Sequence, residues 1–136
     1  VFITGTDSAN KNLARSNNFN KLKHVEFQNG VWSVNTAMNS LATGSIQNLV
    51  LSDSIVWATN FTSDYALGNG MPEFNIHIPK NLVGGCGMFR NCSNLNVNLD
   101  NTQLSEAINI NNMADMFYNC FNIKGNAYCG NNVVNL

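Results

Sequence analysis

In this 136-residue chain, the spacing of the cysteines is the most direct test of what chemistry they could carry out. The four cysteines are Cys86, Cys92, Cys120 and Cys129. A long interval separates the first two from the last two, and both histidines, His24 and His77, lie far from them in the sequence. A structural zinc site needs four converging ligands, usually from closely spaced pairs. We therefore expect no metal site.

The spacing of Cys92 and Cys120 indicates how this pair packs. Both occupy the same position of a phrase that occurs twice in the chain, so adjacent units of the repeat would bring them to about 5 Å. That distance permits a disulfide, but free cysteine packs well in a buried ladder, and we expect reduced, structural thiols. Cys86 and Cys129 have no cysteine at the matching positions, and a disulfide partner for either stays open.

Catalytic constellations are missing from the sequence. A cysteine nucleophile needs a base within reach and a third residue that orients the base, and no such local arrangement is present. Patterns for a serine nucleophile elbow, a phosphate loop, a zinc protease and a calcium loop are also missing. Asp53, Glu73 and Asp100 could offer a glycosidase-like carboxylate pair, but nothing in their spacing supports one. The sequence predicts a protein that is not an enzyme and has no cofactor.

Two tryptophans recur in the phrase Val-Trp-x-x-Asn. They are Trp32 and Trp57, and the interval between them is close to that of the cysteine-bearing phrase. If exposed, they could stack against sugar rings. Their recurrence favours a structural role, either in the core or in a stack between repeat units.

A repeated phrase must position these residues. Met88-Phe89-Arg90-Asn91-Cys92-Ser93-Asn94-Leu95 returns in register as Met116-Phe117-Tyr118-Asn119-Cys120-Phe121-Asn122-Ile123. A period of about 20 to 50 residues is typical of repeat proteins, in which each unit buries its apolar face against its neighbours. Phe89 and Phe117 are expected to be core residues of such a stack. The pattern predicts a mainly β protein, a parallel β-solenoid with about five coils and short helical or 3-10 return turns.

The repeat also sets the expected boundaries. Residues 1–17 are predicted to form an entry strand and lead-in, and residues 18–136 the solenoid. Its coils are placed near 18–41, 42–67, 68–94, 95–122 and 123–136. Both ends look like strands without polar caps, so we expect more protein beyond them.

Strand alternation predicts a polar surface. If the apolar residues of each strand face inward, the outward positions of stacked parallel strands form one continuous sheet face. Its polar members, the candidate binding residues, are His24, Glu26, Asn48, Asn75, His77, Asn96 and Asn98. Asparagine supplies both donors and acceptors for sugars or peptide backbone. A solvated face, or one covered by another subunit, fits the pattern equally well.

The phrase Met-Phe-x-Asn-Cys-x-Asn-Leu resembles the BspA-type leucine-rich repeats and related surface-protein repeats rich in Met-Phe-x-x-Cys-x-x-Leu. The match covers roughly residues 84–125, with residues 19–27 as a looser copy, while the middle units lack the cysteine. The resemblance implies a curved, non-catalytic parallel β-solenoid of leucine-rich-repeat type. It also implies adhesion or recognition on bacterial surfaces, in secreted proteins or in phage structural proteins.

Composition limits the partners. The net charge is −1 and only 11% of residues are charged, so no basic stripe is available for nucleic acid. No run approaches the roughly 18 apolar residues of a membrane span. The leading hypothesis is a recognition or adhesion module at a virion or extracellular cell surface, binding protein or glycan through the polar face. The alternative is a structural virion, fibre or decoration subunit held through its faces and ends, with a homo-oligomer as one such assembly.

Overall fold

Short parallel strands make up most of the regular structure. The computed structural model describes residues 2–3, 23–35, 38, 45–62, 67–128 and 130–134. Most of the predicted lead-in, the start of the first predicted coil, the return segment 39–44 and Cys129 lie outside the described residues. None of the described helices is both long enough and apolar enough to cross a membrane.

The strands of the described residues form two sheets. Four of them, β1 to β4, pair in chain order, and the last two, β5 and β6, form a separate pair. All pairings are parallel. The bounds are Phe2–Ile3 (β1), His24–Phe27 (β2), Asn48–Leu51 (β3), Asn75–His77 (β4), Asn96–Asn98 (β5) and Asn122–Lys124 (β6). Two 3-10 helices follow β5, at Leu99–Asn101 and Leu104–Glu106.

Side-chain alternation explains why these segments are strands. Val25, Leu49 and Ile76 are in register across β2, β3 and β4, and their exposed fractions are 2%, 0% and 2%. The residues before and after them point the other way and are half-buried or exposed, as in a sheet with one face in the core. A one-residue slip would turn this apolar row toward solvent, so burial fixes the register.

A second column of parallel contacts forms where the chain returns. Ser33 pairs with Trp57, Trp57 with Gly84, and Gly84 with Asn112. Backbone hydrogen bonds such as Ala58 N–H to the Gly84 carbonyl, 2.9 Å, join the same segments.

The position of Trp57 in this column corrects a prediction. The sequence predicts that Trp57 is equivalent to Trp32, but Trp57 lies opposite Ser33, one position further along the chain. The interval from Ser33 to Trp57 is the same as that from His24 to Asn48, which are partners in β2 and β3. The backbone pairing on the return side therefore keeps the same register as the pairing of β2 with β3. The predicted equivalence of Trp32 and Trp57 is wrong by one position.

Phenylalanine rings link the segments through the core. Phe27 and Phe61 have ring centroids 5.6 Å apart, Phe61 and Phe89 6.4 Å, and Phe89 and Phe117 5.7 Å. The first three side chains are fully buried and Phe117 is partly buried against the same core. Phe89 and Phe117 thus lie where the repeat predicts, whereas Phe61 was not singled out from the sequence. This row, Phe27, Phe61, Phe89 and Phe117, is called the phenylalanine column below.

The ladder is interrupted between β4 and β5. Phe74 N–H donates to the Asn96 carbonyl at 2.7 Å, and Ile78 N–H donates to the Thr102 carbonyl at 2.9 Å. The stretch 74–78 thus faces the longer stretch 96–102, in which the 3-10 helix Leu99–Asn101 follows β5 and regular strand pairing ends. The predicted single continuous sheet is therefore wrong at this point. The mainly β, parallel character with few helices is confirmed, while five stacked coils with 3-10 return turns stay a prediction.

Gly84 is fitted to the Trp57 indole. A Cβ atom at Gly84 would lie 2.2 Å from Trp57 Cε3 and 2.4 Å from Cζ3, so the ring occupies the space that any other side chain would need. The φ of Gly84 lies outside the left-handed region, so alanine would meet no backbone strain there. Steric overlap with the indole is the only obstacle that these contacts present.

We expect Gly84→Ala to lower the free energy of unfolding by about 1–3 kcal/mol, the usual cost of forcing a methyl group into a packed site. In a Trp57→Ala background the same substitution should be close to neutral, because the ring has gone. Urea unfolding of the wild type, both single variants and the double variant measures the coupling. Equal losses in the two backgrounds would contradict the contact.

Candidate functional site

A groove crosses the outer face of β3 and β4. It has a volume of about 400 Å³, and the strand register brings three of the predicted binding residues together in it: Asn48, Asn75 and His77. Val50 lies between them on β3. The remaining polar lining is Asn29, Ser52 and Asp53. We call this depression the sheet groove.

Two smaller depressions adjoin the sheet groove. One, of about 310 Å³, is lined by Glu26 and Gln28 and shares Asn29 and Ser52 with the sheet groove. The other, of about 170 Å³, lies at the interruption between β4 and β5. It shares Asn75 with the sheet groove and adds Glu73, Phe74, Ile76, Asn98, Asn101 and Thr102. Glu26 and Asn98 are therefore at the margins of one polar surface centred on Asn48, Asn75 and His77.

His24 and Asn96 are not brought into this surface in the same way. His24 Nε2 is 3.3 Å from Glu26 Oε2, so its ring is engaged along its own strand. The Asn96 amide donates to the Pro72 carbonyl, while its Oδ1 is buried with no hydrogen-bond partner among the described residues. Asn98 also has a local structural bond, since its Oδ1 accepts from Asp100 N–H at the start of the 3-10 helix, 3.1 Å. The prediction that all seven residues form one continuous face is corrected: Asn96 and Asn98 belong to the second sheet, beyond the interruption of the strand ladder.

Asp53 is the functional-site residue that sequence reasoning did not place. His77 Nε2 lies 3.1 Å from Asp53 Oδ1, which also accepts from Lys80 N–H at 3.0 Å. Lys80 Nζ is 3.5 Å from Oδ2, and the Asn81 amide donates to the Asp53 carbonyl at 2.8 Å. The sequence does contain a signal for this contact: the interval between Asp53 and His77 is the same as the interval between partner residues of β2 and β3.

These contacts set the charge of the groove. Burial raises the pKa of Asp53, but the hydrogen bonds from Lys80 N–H and His77 and the charges of His77 and Lys80 outweigh burial and bring the pKa below its ordinary 3.8. The carboxylate is thus held ionised beside Lys80 and His77. Apart from His77, the rest of the polar lining has no ionisable side chain.

The asparagines of the groove are available for hydrogen bonding. No side-chain hydrogen bond to the described part of the chain engages Asn29, Asn48 or Asn75, each of which can donate two hydrogen bonds and accept at its oxygen. Asn48 and Asn75 are neighbours across the β3–β4 pair, about 4.8 Å apart by ordinary strand spacing. The surface can therefore bind an uncharged polar ligand through several amides at once.

The three carboxylates singled out in the sequence are engaged separately. Glu73 Oε1 accepts from the Asn101 amide at 2.9 Å, and Asp100 Oδ1 accepts from Asn126 N–H and from its amide, both at 3.1 Å. Asp53 is held by His77 and Lys80. Each carboxylate has its own partners and tethers one repeat segment to the next.

Three cysteines are free thiols: Cys86, Cys92 and Cys120. Cys92 is fully buried, and the Cys120 thiol donates to the Phe89 carbonyl at 2.9 Å. Burial raises the pKa of Cys120 to about 11, with a backbone hydrogen bond of Cys92 acting in the opposite direction. A thiol with this pKa is a poor nucleophile near neutral pH. Among the described residues, no group of three or more His, Cys, Asp or Glu side chains could hold a metal ion.

The tryptophans lie outside the core. Trp32 is 43% exposed and Trp57 is 39% exposed, so the core alternative raised by the sequence is wrong for both. Trp57 does contact a neighbouring segment through Gly84.

Replacing Asp53 with asparagine should change how the free energy of unfolding depends on pH at acidic pH. A carboxyl whose folded-state pKa is lowered stabilises the fold above its unfolded pKa of about 3.8, and this contribution is lost as pH falls further. In Asp53→Asn we expect the unfolding free energy to fall less steeply between about pH 5 and 2. The difference at pH 6 should be at most about 1 kcal/mol, as for part-exposed ion pairs. Urea unfolding at several pH values measures both quantities.

Glu106→Gln, which removes an exposed carboxylate of the second 3-10 helix, is the matched control. A profile for Asp53→Asn that parallels the wild type throughout would contradict the stabilising role of these contacts.

Searches of protein-family models, of curated proteins and of solved structures found no match to this chain. The functional inference therefore depends on the residues, contacts and grooves described above.

Proposed function

We propose that this chain is a parallel β-solenoid of leucine-rich-repeat type, similar to the BspA-type repeats, with about five coils. Parallel backbone hydrogen bonds between successive segments of the chain support the proposal, as does the phenylalanine column. In a solenoid each coil contacts only its neighbours, and the coil faces form extended binding surfaces.

We further propose that the protein is a non-catalytic recognition or adhesion module on a phage particle or bacterial surface, where it binds protein or glycan. The observation that carries this proposal is the sheet groove, in which the amides of Asn29, Asn48 and Asn75 have no partner in the described chain. Its single carboxylate, Asp53, already has His77 and Lys80 as partners, so the groove suits a neutral polar ligand better than an ion. The surface location is supported by the repeat resemblance alone.

The double variant Asn48→Ala, Asn75→Ala tests this function. Fluorescently labelled wild-type protein should bind to a panel of bacterial cells measured by flow cytometry, and the double variant should bind at least tenfold more weakly. Both side chains point away from the core, so thermal unfolding should be nearly unchanged. Treatment of the cells with protease or with periodate identifies the receptor as protein or glycan.

Asn109→Ala is the matched control, because Asn109 is exposed and does not line the sheet groove. Absence of wild-type binding across the panel, or equal binding by the double variant, would contradict recognition through this groove.

A second function, structural subunit of an assembly, is favoured by a different observation. Large apolar side chains are exposed on the last part of the described chain: Ile108 at 63%, Tyr118 at 51%, Phe121 at 74%, Tyr128 at 48% and Val134 at 79%. Exposed apolar residues concentrated in one region are typical of protein interfaces.

For this alternative we expect wild-type protein to form discrete oligomers or end-to-end polymers in size exclusion with light scattering. The variant Phe121→Ser, Val134→Ser should shift the mass toward the monomer, because it removes the two most exposed of these apolar side chains. A wild-type monomer at all concentrations tested would exclude the assembly role.

A further inference from the structure

The return segment 113–119 presents an unpaired backbone edge. In the unit before it, four alternate N–H groups donate to carbonyls of residues 112–118 at 2.7–3.0 Å, those of Gly85, Gly87, Phe89 and Asn91. The repeated phrase places residues 113–119 at the equivalent positions one unit later. Three of the equivalent N–H groups, those of Asp115, Phe117 and Asn119, donate to no group in the part of the chain that the structure describes. We call these three groups the donor edge.

The donor edge contains hydrogen-bond donors only. The carbonyls of the even-numbered residues 112–118 accept from the preceding unit, and those of the odd-numbered residues 113–117 accept from the N–H group three residues further on. The N–H groups of Met116 and Tyr118 are used in these local bonds. Backbone polar groups require partners, either from water or from protein. The protein partner that suits this edge is a row of carbonyl oxygens.

The core is open beside the donor edge. Phe89 and Cys92 are both 0% exposed, and Val97 is 1% exposed. The Phe117 ring stacks on Phe89 with an interplanar angle of 12°, and no other ring of the described residues contacts it. A ligand that bonds to the donor edge therefore also meets an apolar surface. This surface consists of the counterparts one unit later, which are only partly buried: Phe117, Cys120 and Ile123.

Charge gives this surface no strong preference for an acidic or a basic partner. Asp115 and Lys124 are the only charged residues in 113–124, and Asp115 Oδ2 is paired with Arg90 Nη1 at 3.5 Å. Tyr118 and Phe121, in the same stretch, are 51% and 74% exposed. An uncharged segment with apolar side chains complements this combination.

A second copy of this chain does not supply the row of carbonyls from its described return segments. Two donor edges would oppose N–H to N–H. At the other end of the return side, Ser33, Val34 and Met38 are 2%, 0% and 0% exposed, so their carbonyls are closed to an incoming chain. We therefore take a different protein as the source of the segment.

The fold itself contains a segment of the required kind. Residues 84–88 lie parallel to the preceding unit, where their alternate carbonyls accept hydrogen bonds at 2.8–3.1 Å. Phe89 follows directly, and its ring contacts Phe61 of that unit. An extended peptide with alternate carbonyls and an aromatic residue can pair with the donor edge in the same way. The existing bonds run from the N–H groups of Ala58, Asn60 and Thr62 to the carbonyls of Gly84, Cys86 and Met88.

We propose that the donor edge is a docking site for an extended segment of another protein, which adds to the return side as one more parallel segment. Its carbonyl oxygens accept from Asp115, Phe117 and Asn119, and an aromatic side chain packs on the Phe117 ring. Main-chain bonds supply affinity in this mode of recognition, and side-chain contacts supply specificity. The site shares no residue with the sheet groove, and it depends neither on recognition there nor on self-assembly.

A synthetic peptide with this chain's own sequence 84–95 is the probe, acetylated, amidated and kept reduced. Fluorescence polarisation with the labelled peptide should show saturable binding to the wild-type protein. The same peptide carrying Phe89→Ser should bind at least tenfold more weakly, because it lacks the ring that packs on Phe117.

Amide hydrogen exchange, followed residue by residue by NMR, locates the peptide. In the free protein the N–H groups of the donor edge should exchange much faster than those of Met116 and Tyr118, which are hydrogen-bonded. Saturation with peptide should slow the exchange of all three donor-edge groups at least tenfold. Bound peptide that leaves these three rates unchanged would overturn the proposal.

Two protein variants test the side-chain contact. Phe117→Leu removes the aromatic stack but keeps an apolar side chain, so the protein should stay folded and bind the peptide several-fold more weakly. Ile108→Ser is the matched control, because Ile108 is 63% exposed and lies outside residues 113–124. It should leave the affinity within twofold of wild type. Thermal unfolding establishes that both variants are folded at the titration temperature.

Three further results would overturn the proposal. The first is the absence of peptide binding at millimolar concentration. The second is protection of the donor-edge amides in the free protein that rises with protein concentration, which assigns the edge to a second copy. The third is loss of peptide binding in Asn48→Ala, Asn75→Ala, which places the peptide in the sheet groove. Wild-type protein that is monomeric in light scattering and binds the peptide at these amides would exclude the assembly role and support the docking site.

Discussion

The parallel backbone hydrogen bond between successive segments is the interaction on which the rest of this structure depends. Each strand is short, too short to be stable alone, and its N–H and C=O groups are paired by the neighbouring segments. The pairing occurs twice per segment, at the strands and at the column that includes Trp57 and Gly84. Side chains are consequently displayed in rows, and the rows determine which residues can cooperate at a surface.

Much of this arrangement could be predicted from the sequence, because the apolar residues that are buried recur at regular intervals along the chain. The repeated phrase correctly predicts a core position for Phe89, against which the partly buried Phe117 packs, and alternation correctly predicts the inward rows of β2 to β4. The Trp32–Trp57 equivalence failed because side-chain identity is a weaker constraint than backbone register. The interruption between β4 and β5 was missed because the extra residues, within 96–102, belong to a polar, turn-forming stretch that does not alter the spacing of the apolar residues.

The candidate site was predictable in part for the same reason. Outward strand positions are determined by alternation, so the sequence alone could place Asn48, Asn75 and His77 together. It could not place Asp53, which follows β3 in a turn whose direction depends on tertiary contacts with Lys80 and Asn81. The exposure of the tryptophans was also not predictable, because recurrence at a repeat period indicates equivalent positions but not whether they face the core or solvent.

The interruption between β4 and β5 affects only the strand side of the chain's path. On the strand side residues 74–78 face residues 96–102, whereas on the return side Gly85, Gly87, Phe89 and Asn91 donate in regular alternation to Asn112, Ala114, Met116 and Tyr118. At this junction the return side therefore carries the regular backbone pairing, and the ring contact between Phe89 and Phe117 packs the same two return segments together where the strand ladder is interrupted.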